Sequence, residues 1–292
     1  MDYNSLVKPS YIKKIMDEYQ FRFKKRFGQN FLVDKNILDK IVDSAELTAQ
    51  HYVVEIGTGL GTLSLALAQV CAKVVTFEID RDLAIIFREK HSKDNIVLVE
   101  EDALKADWKQ VLQANGWSSQ PVSLVANLPY YVTTPLVMKA LEGDLDFEQI
   151  VVMVQKEVAE RMLAEPGTKD YGILSLAVQY YATPTVVTQA PASVFMPAPE
   201  VDSTVVKLTP IKRETDLPAE DLFAVIRAAF SQRRKTLRNC LSSLCRQWGI
   251  TNQQLLAVFA ELDIEPTIRG EVLSLTQYQE LTKRLLNLRI SS

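Results

Sequence analysis

Between positions 55 and 130 the sequence places three acids, three closely spaced glycines and an Asn-Leu-Pro-Tyr tetrapeptide at intervals that could assemble one polar site. Glu55-Ile56-Gly57-Thr58-Gly59-Leu60-Gly61 follows a short apolar run and opens a helical one. Glycines there let the backbone turn tightly and let a flat or extended ligand lie close against the chain. The spacing is G-x-G-x-G, not the G-x-G-x-x-G of dinucleotide folds, and no G-x-x-x-x-G-K-[ST] pattern occurs, which disfavours a nucleotide triphosphatase. Glu78, about twenty residues on, can accept hydrogen bonds from both hydroxyls of a ribose. Asp102, at the end of the next apolar run, can accept from an adenine amino group. Alone, each acid reads as a solvated strand end; together, at the ends of successive strands, they outline an adenosine-shaped pocket.

Asn127-Leu128-Pro129-Tyr130 adds a reactive partner for that pocket. Proline lacks a backbone donor, so the strand ladder stops and carbonyls are left pointing outward. The side-chain oxygen of Asn127 and the carbonyl of Leu128 can then both accept from one planar amino group. Such a pair holds an exocyclic N6 amine in line with an activated methyl and draws its lone pair out of conjugation. Tyr130 offers a face for stacking the base, worth roughly 1–3 kcal/mol in single-strand binders. Orientation and electrostatics supply most of the rate for an amine attacking a sulfonium methyl, and no strong general base is needed, because the nitrogen becomes acidic only once methylated. Tyr131 lies outside this motif and is expected only to pack or to line the mouth.

These residues need a scaffold that delivers strand ends to one edge. From about 52 to 155 the chain alternates β-rich runs (YVVEIG, KVVTFEID, NIVLVEED, VSLVANLPYY, QIVVMVQ) with helical ones, and unbroken apolar strands in that alternation predict a parallel sheet covered on both faces. TPTVVTQA and STVVKL, joined by a proline-rich loop, predict an antiparallel pair at one edge. The composition changes near TPIKRETDLPAED. Beyond it LFAVIRAAF, LLAVFAEL and YQELTKRLLNL recur at helical spacing and predict three or four helices. The division expected is a domain over 1–210, with an N-terminal arm to about 34, and a helical domain over 211–292.

The 292 residues carry 33 Lys and Arg against 36 Asp and Glu, a net charge of −3, so any nucleic-acid surface must be local. Two stretches qualify. Arg22, Lys24, Lys25 and Arg26 interleave with Phe21, Phe23 and Phe27, and Arg233, Arg234, Lys235 and Arg238 lie in a run without acids. No apolar stretch approaches the roughly eighteen residues of a membrane span, and the start of the chain lacks a secretory signal, so a cytoplasmic protein is expected. Cys71, Cys240 and Cys245, with His51 and His91, have no zinc-site spacing; no metal is expected and the thiols are expected to be buried.

FGQNFLVD, VVEIGTGLGTL, FEID, EDAL, ANLPYYVTTP, MVQKEVAERM, VFMPAPEVDS, AFSQRRKTLRN and RGEVLSL occur in this order over almost the whole chain. In these the sequence resembles the bacterial small-subunit rRNA adenine dimethyltransferases of the KsgA/RsmA family. The resemblance implies a Rossmann-like class I S-adenosylmethionine-dependent methyltransferase, an α/β fold, with a small C-terminal all-α domain. It implies dimethylation of N6 on two adjacent adenosines near the 3′ end of 16S rRNA within a 30S subunit precursor, a role in subunit biogenesis, and a monomer. Position by position it places Gln29, Asn30 and Leu32 over the cofactor, Gly57 and Gly59 in the turn, Glu78 on the ribose and Asp102 at the adenine. Asn127, which also meets the cofactor, receives the target base with Leu128 and Tyr130, and Phe195 stacks on the other face of that base. Thr58 stands where many relatives carry proline. Glu101 stands where many carry glycine, which leaves two adjacent carboxylates for the adenine, Asp102 being favoured. An adenosine has to leave its stack to react, and phosphate contacts by the two basic stretches would offset that cost. Two other readings remain: an Erm-type methyltransferase of 23S rRNA, and an assembly factor that is mainly non-catalytic.

Overall fold

Valine, isoleucine and leucine fill the strands that are covered on both faces, and the β-branched side chains of valine and isoleucine suit a pleated surface. The computed structural model describes residues 5–24, 27–91, 93–212 and 217–290. By internal contact the chain forms two units, Met1–Ala159 with Ala182–Pro210, and Glu160–Tyr181 with Ile211–Ser292.

The first unit opens with α1 (Pro9–Glu18), β1 (Phe31–Leu32) and α2 (Lys35–Ser44). There follow β2 (Tyr52–Ile56), α3 (Thr62–Leu67), β3 (Lys73–Phe77), α4 (Arg81–His91), β4 (Ile96–Val99) and α5 (Trp108–Ala114). Next come β5 (Val122–Asn127), α6 (Thr133–Glu142), β6 (Phe147–Gln155) and α7 (Lys156–Leu163), the last spanning the boundary between units. After α8 (Ile173–Tyr181), which belongs to the second unit, β7 (Ala182–Ala190), β8 (Phe195–Met196) and β9 (Ser203–Pro210) complete the first.

Seven strands form one sheet in the order β4-β3-β2-β5-β6-β9-β7. The first five run parallel, and β9 pairs antiparallel with both β6 and β7. Every residue of β2 is buried, as are Val122 to Ala126 of β5 and Ile150 to Val154 of β6. The outermost strand β7 is half exposed and contains Pro184, a residue tolerated on an edge because no neighbour needs its missing N–H. The late antiparallel pair is thus where the sequence predicted it.

One pairing has no signature in the local sequence. Phe31 and Leu32, in the predicted arm, pair antiparallel with Met196 and Phe195, in the predicted proline-rich loop. Val33 extends the contact by donating to the Val194 carbonyl at 2.8 Å. The arm is therefore a strap with its own small sheet, and Phe21, Phe23 and Phe31 pack ring to ring beneath it.

The second unit contains α8 and the four helices α9 (Ala219–Ala229), α10 (Leu237–Gln247), α11 (Asn252–Glu261) and α12 (Leu275–Ile290). Residues 160–181, expected with the sheet, pack with the late helices instead. Aromatic contacts explain the difference, since Tyr180 meets the Phe223 ring edge-on and Tyr181 stacks on it at 5.7 Å. Tyr171 donates to the Leu273 carbonyl at 3.1 Å, and the Gly167 amide donates to the Glu271 carbonyl at 2.7 Å. Periodicity alone shows which helix face is apolar, not which partner covers it.

Candidate active site

Parallel strands point their carboxyl ends one way, so the residues that follow β2, β3, β4 and β5 gather at one edge of the sheet. A cavity of about 350 Å³ opens there. Gly57, Gly59 and Gly61 all have left-handed φ, at +84°, +56° and +83°, which is why non-glycine residues would be strained in this turn. The turn is drawn onto β3 by the Gly57 amide, which donates to the Phe77 carbonyl at 2.9 Å. A Cβ on Gly59 would lie 3.3 Å from the Phe31 ring, so the strap and the glycine turn are in close contact.

Glu78 lines the cavity and is 7% exposed. Its two oxygens accept from the amides of Gly59 and Asp80, each at 2.9 Å. Burial raises its pKa to about 7, against those two backbone donors, which favour the ionised form. Glu55, also at the cavity and fully buried, is raised by burial to about 8, while the Ser64 hydroxyl donates to it at 2.5 Å. Asp102 and Glu101 both line the cavity. Asp102 is the better ordered acceptor, because it is half-buried and Oδ1 takes the Leu104 amide at 3.0 Å, whereas Glu101 is exposed.

Asn127 ends β5, and its Nδ2 donates to the Asn30 carbonyl at 3.4 Å, which leaves Oδ1 as the acceptor end of the amide. The Leu128 amide donates to the Met153 carbonyl, the chain then leaves the ladder, and Pro129 contributes no donor. Tyr130 begins a short 3-10 turn, and its hydroxyl shares a 2.7 Å hydrogen bond with Ser203, a contact that holds the ring in one orientation. Asn127, Leu128 and Tyr130 line the same cavity as Gln29, Asn30, Leu32, Gly57, Gly59, Glu78 and Asp102. Tyr131 lines it too, with 54% of its surface exposed.

Several expected residues are placed differently. Phe195 is 4% exposed, paired with Leu32 in the small sheet, and not among the residues that line the cavity. Lys24 is engaged by carboxylates of its own unit, since its ammonium lies 2.6 Å from both Asp80 and Asp82. It fastens the arm and is not a free cation for RNA. Arg22 is exposed, and Lys25 and Arg26 lie outside the described residues. In the second unit Arg233 donates to the Lys169 carbonyl and pairs with Glu271, and Arg238 Nε donates to Asn252 at 3.0 Å. Arg234 and Lys235 are exposed.

Asp80 was not singled out by spacing, although it belongs to FEID. It is 1% exposed, accepts from Lys24 Nζ and Gln29 Nε2 at 2.6 Å each, and caps the start of α4 by taking the Asp82 amide at 3.1 Å. Gln29 is pinned at both ends, because its side-chain oxygen accepts from the Lys24 amide at 2.7 Å. One buried carboxylate thus ties the strap to the strand that carries Glu78. Among the described residues no group of three or more His, Cys, Asp or Glu is gathered to hold a metal, and none of the helices is long and apolar enough to cross a membrane. Cys71, Cys240 and Cys245 are buried and unbridged.

The cavity suits an adenosine that bears a cationic sulfur. The glycine turn leaves its backbone open to a close ligand, and among the described residues the cavity wall holds four carboxylates, Glu55, Glu78, Glu101 and Asp102, and no lysine or arginine. A sheet in this strand order, with such a cavity at its carboxyl edge, defines a class I S-adenosylmethionine-dependent methyltransferase. Residues 20–285 match the family model described as ribosomal RNA adenine dimethylase, and the chain belongs to that family. It is 45% identical over 284 residues to "Ribosomal RNA small subunit methyltransferase A" of Clostridioides difficile, covering 96% of each chain. The protein of the same name from a Geobacillus strain is 45% identical over 282 residues, covering 95% of this chain and 96% of the other. Among solved structures, a dimethyladenosine transferase from Plasmodium falciparum superposes with a TM-score of 0.71 at 28% identity, over 86% of this chain and 95% of that one. The 23S rRNA methyltransferase ErmE superposes with a TM-score of 0.64 at 26% identity, over 88% and 99%. The methyl donor of the family, S-adenosylmethionine, is the cofactor the cavity fits.

Proposed function

We propose that this protein dimethylates N6 of two adjacent adenosines near the 3′ end of small-subunit 16S rRNA, acting as a monomer on a precursor of the 30S subunit in the cytoplasm. The observation that carries this reading is that Asn127, its Nδ2 donating to the Asn30 carbonyl and its Oδ1 left to accept, lines the cavity together with Leu128 and Tyr130.

S-adenosylmethionine supplies an electrophilic methyl on a sulfonium. The chain's residues do the rest by orientation. An exocyclic amine has two N–H donors, and Asn127 Oδ1 with the Leu128 carbonyl accepts them, which turns the nitrogen lone pair out of the purine plane. After the first transfer one N–H remains, and one of these two acceptors suffices for the second. The nitrogen loses its proton once alkylated, so a base such as a poised histidine has no task here. Tyr130, its ring fixed through Ser203, stacks on the base. Glu78 receives the cofactor ribose and Asp102 its adenine. Gln29, Asn30 and Leu32 close over them on the strap.

Arg22, Arg234 and Lys235 are the exposed cations assigned to RNA phosphates. Arg233 and Arg238, though hydrogen-bonded within their unit, are still partly exposed and can share a phosphate. Incubating the protein with labelled S-adenosylmethionine and unmethylated small subunits, then digesting the rRNA to nucleosides, should yield N6,N6-dimethyladenosine. Absence of that nucleoside would overturn the reading. The likeness to ErmE sustains one competitor, an adenosine of 23S rRNA as target. Primer extension on both rRNAs after the same incubation distinguishes them, and a stop confined to the large-subunit rRNA would favour the competitor.

A further inference from the structure

Lys139 on α6 is not on the cavity wall, yet its ammonium gathers the backbone that shapes one side of the cavity. Nζ lies 2.9 Å from the carbonyl of Ala103, 3.0 Å from that of Leu104 and 2.5 Å from that of Ala106. An ammonium has three donors, and three carbonyls use all of them. The same Nζ lies 4.8 Å from the centroid of the Trp108 ring, whose indole N–H also donates to the Ala103 carbonyl at 2.8 Å.

In a trans peptide the C=O and the following N–H point in opposite directions. Turning the Ala103 carbonyl toward Lys139 therefore turns the Leu104 amide away from it, and that amide donates to Asp102 Oδ1 at 3.0 Å. The next peptide repeats the arrangement. Its carbonyl, from Leu104, faces Lys139, and its amide, from Lys105, donates to the Asp102 main-chain oxygen at 2.8 Å. Two consecutive peptide dipoles are thus aligned between the lysine cation and Asp102.

We propose that Lys139 is a positioning residue for the adenine of the cofactor: it aligns the 103–105 peptides so that Leu104 occupies Asp102 Oδ1 and leaves Oδ2 to accept from the exocyclic amine. The inference rests on the reading of Asp102 as the adenine acceptor. A lysine about two-thirds of the way along a helix, on the far side of a loop from the ligand, acts here through main-chain geometry and not through contact with cofactor or RNA.

The test compares two probes binding to the full-length protein by calorimetry: S-adenosylhomocysteine, and its 6-deamino purine analogue, which lacks the exocyclic amine. The wild type should prefer S-adenosylhomocysteine by about ten-fold, the equivalent of one hydrogen bond to a charged acceptor. Lys139→Met should reduce that preference to about two-fold while the deamino analogue keeps its affinity. Lys139→Gln, which retains length and one amide donor, should fall between, and serves alone if the methionine variant does not fold. A Lys139 variant that keeps the full preference, or that weakens both probes equally, overturns the proposal. Asp102→Ala separates the two claims. If it abolishes the preference while Lys139→Met preserves it, only the positioning role fails; if it preserves the preference, the adenine reading of Asp102 fails and the proposal with it.

Discussion

Replacing Asp80 with alanine should loosen the N-terminal strap from the end of β3. Its carboxylate is almost wholly buried and receives three donors, the Lys24 ammonium, the Gln29 amide and the Asp82 main-chain N–H. Hydrogen bonds to a charged group contribute about 1.5–3 kcal/mol each, and loss of a helix-capping acid costs about 1 kcal/mol. Two effects reduce the sum. Lys24 is 30% exposed and keeps Asp82 at 2.6 Å, so its share is nearly that of a surface pair, and deleting the carboxylate also removes its own desolvation cost. The net destabilisation expected is about 2–3 kcal/mol by urea denaturation. Because Gln29 and Asn30 line the cavity from the strap, affinity for S-adenosylhomocysteine should fall roughly ten-fold in the same variant. Gln29→Ala removes the other end of one of these bonds, so the double variant should show a coupling of about 1 kcal/mol. A loss below roughly 0.5 kcal/mol with unchanged ligand affinity, or full additivity with Gln29→Ala, would refute the strap as a fastened element.

Three further outcomes follow from other parts of the molecule. Gly61→Ala combines a φ of +83° with a Cβ placed 2.5 Å from Phe87 Cε2, and should cost about 2–4 kcal/mol in thermal or urea unfolding, whereas Gly167→Ala, at φ +82° with nothing within 4 Å, should cost only about 1 kcal/mol. Glu78 has its pKa raised from 4.5 to about 7 by burial, so in the free protein ionising it opposes folding, and the stability present below pH 4.5 is lost as pH rises through about 7. Ribose hydroxyls favour the carboxylate; S-adenosylhomocysteine should therefore bind more tightly as pH rises through about 7 and release a proton on binding below it, and a pH-independent calorimetric titration with no buffer-dependent heat would contradict this. Replacing Arg234 and Lys235 together by alanine should weaken rRNA binding and lower the salt slope by about 0.9 per lost phosphate contact, with the affinity for S-adenosylhomocysteine unchanged; loss of cofactor binding would remove both residues from the RNA surface.

Much of the first unit could be read directly from local sequence. Strand and helix runs announce themselves through the period of their apolar residues, and parallel strands fix where their ends, and thus Gly57, Glu78, Asp102 and Asn127, come together. The glycine turn and the proline after Leu128 are legible for the same reason: each constrains φ or removes a donor whatever surrounds it. The strap is different. Phe31–Leu32 and Phe195–Met196 are over 160 residues apart by position, and neither dipeptide is long enough to show a period. Phe195, expected against the target base, is 4% exposed and its backbone belongs to that pairing.

Charged residues were the least legible, because a cation looks alike in sequence whether it meets phosphate, carboxylate or carbonyl. Lys24 proved to be tied to Asp80 and Asp82, and Lys139 to three carbonyls of a loop more than thirty residues upstream. The assignment of residues 160–181 to the helical unit likewise depends on Tyr180 and Tyr181 meeting Phe223. By itself, then, the sequence determined the sheet, the order of the site residues along its edge and the chemistry their side chains can perform, since period, backbone restriction and donor–acceptor type are local properties. Only the tertiary structure decided which cations are free, what fastens the strap and which helices pack together, since those depend on partners that chain separation conceals.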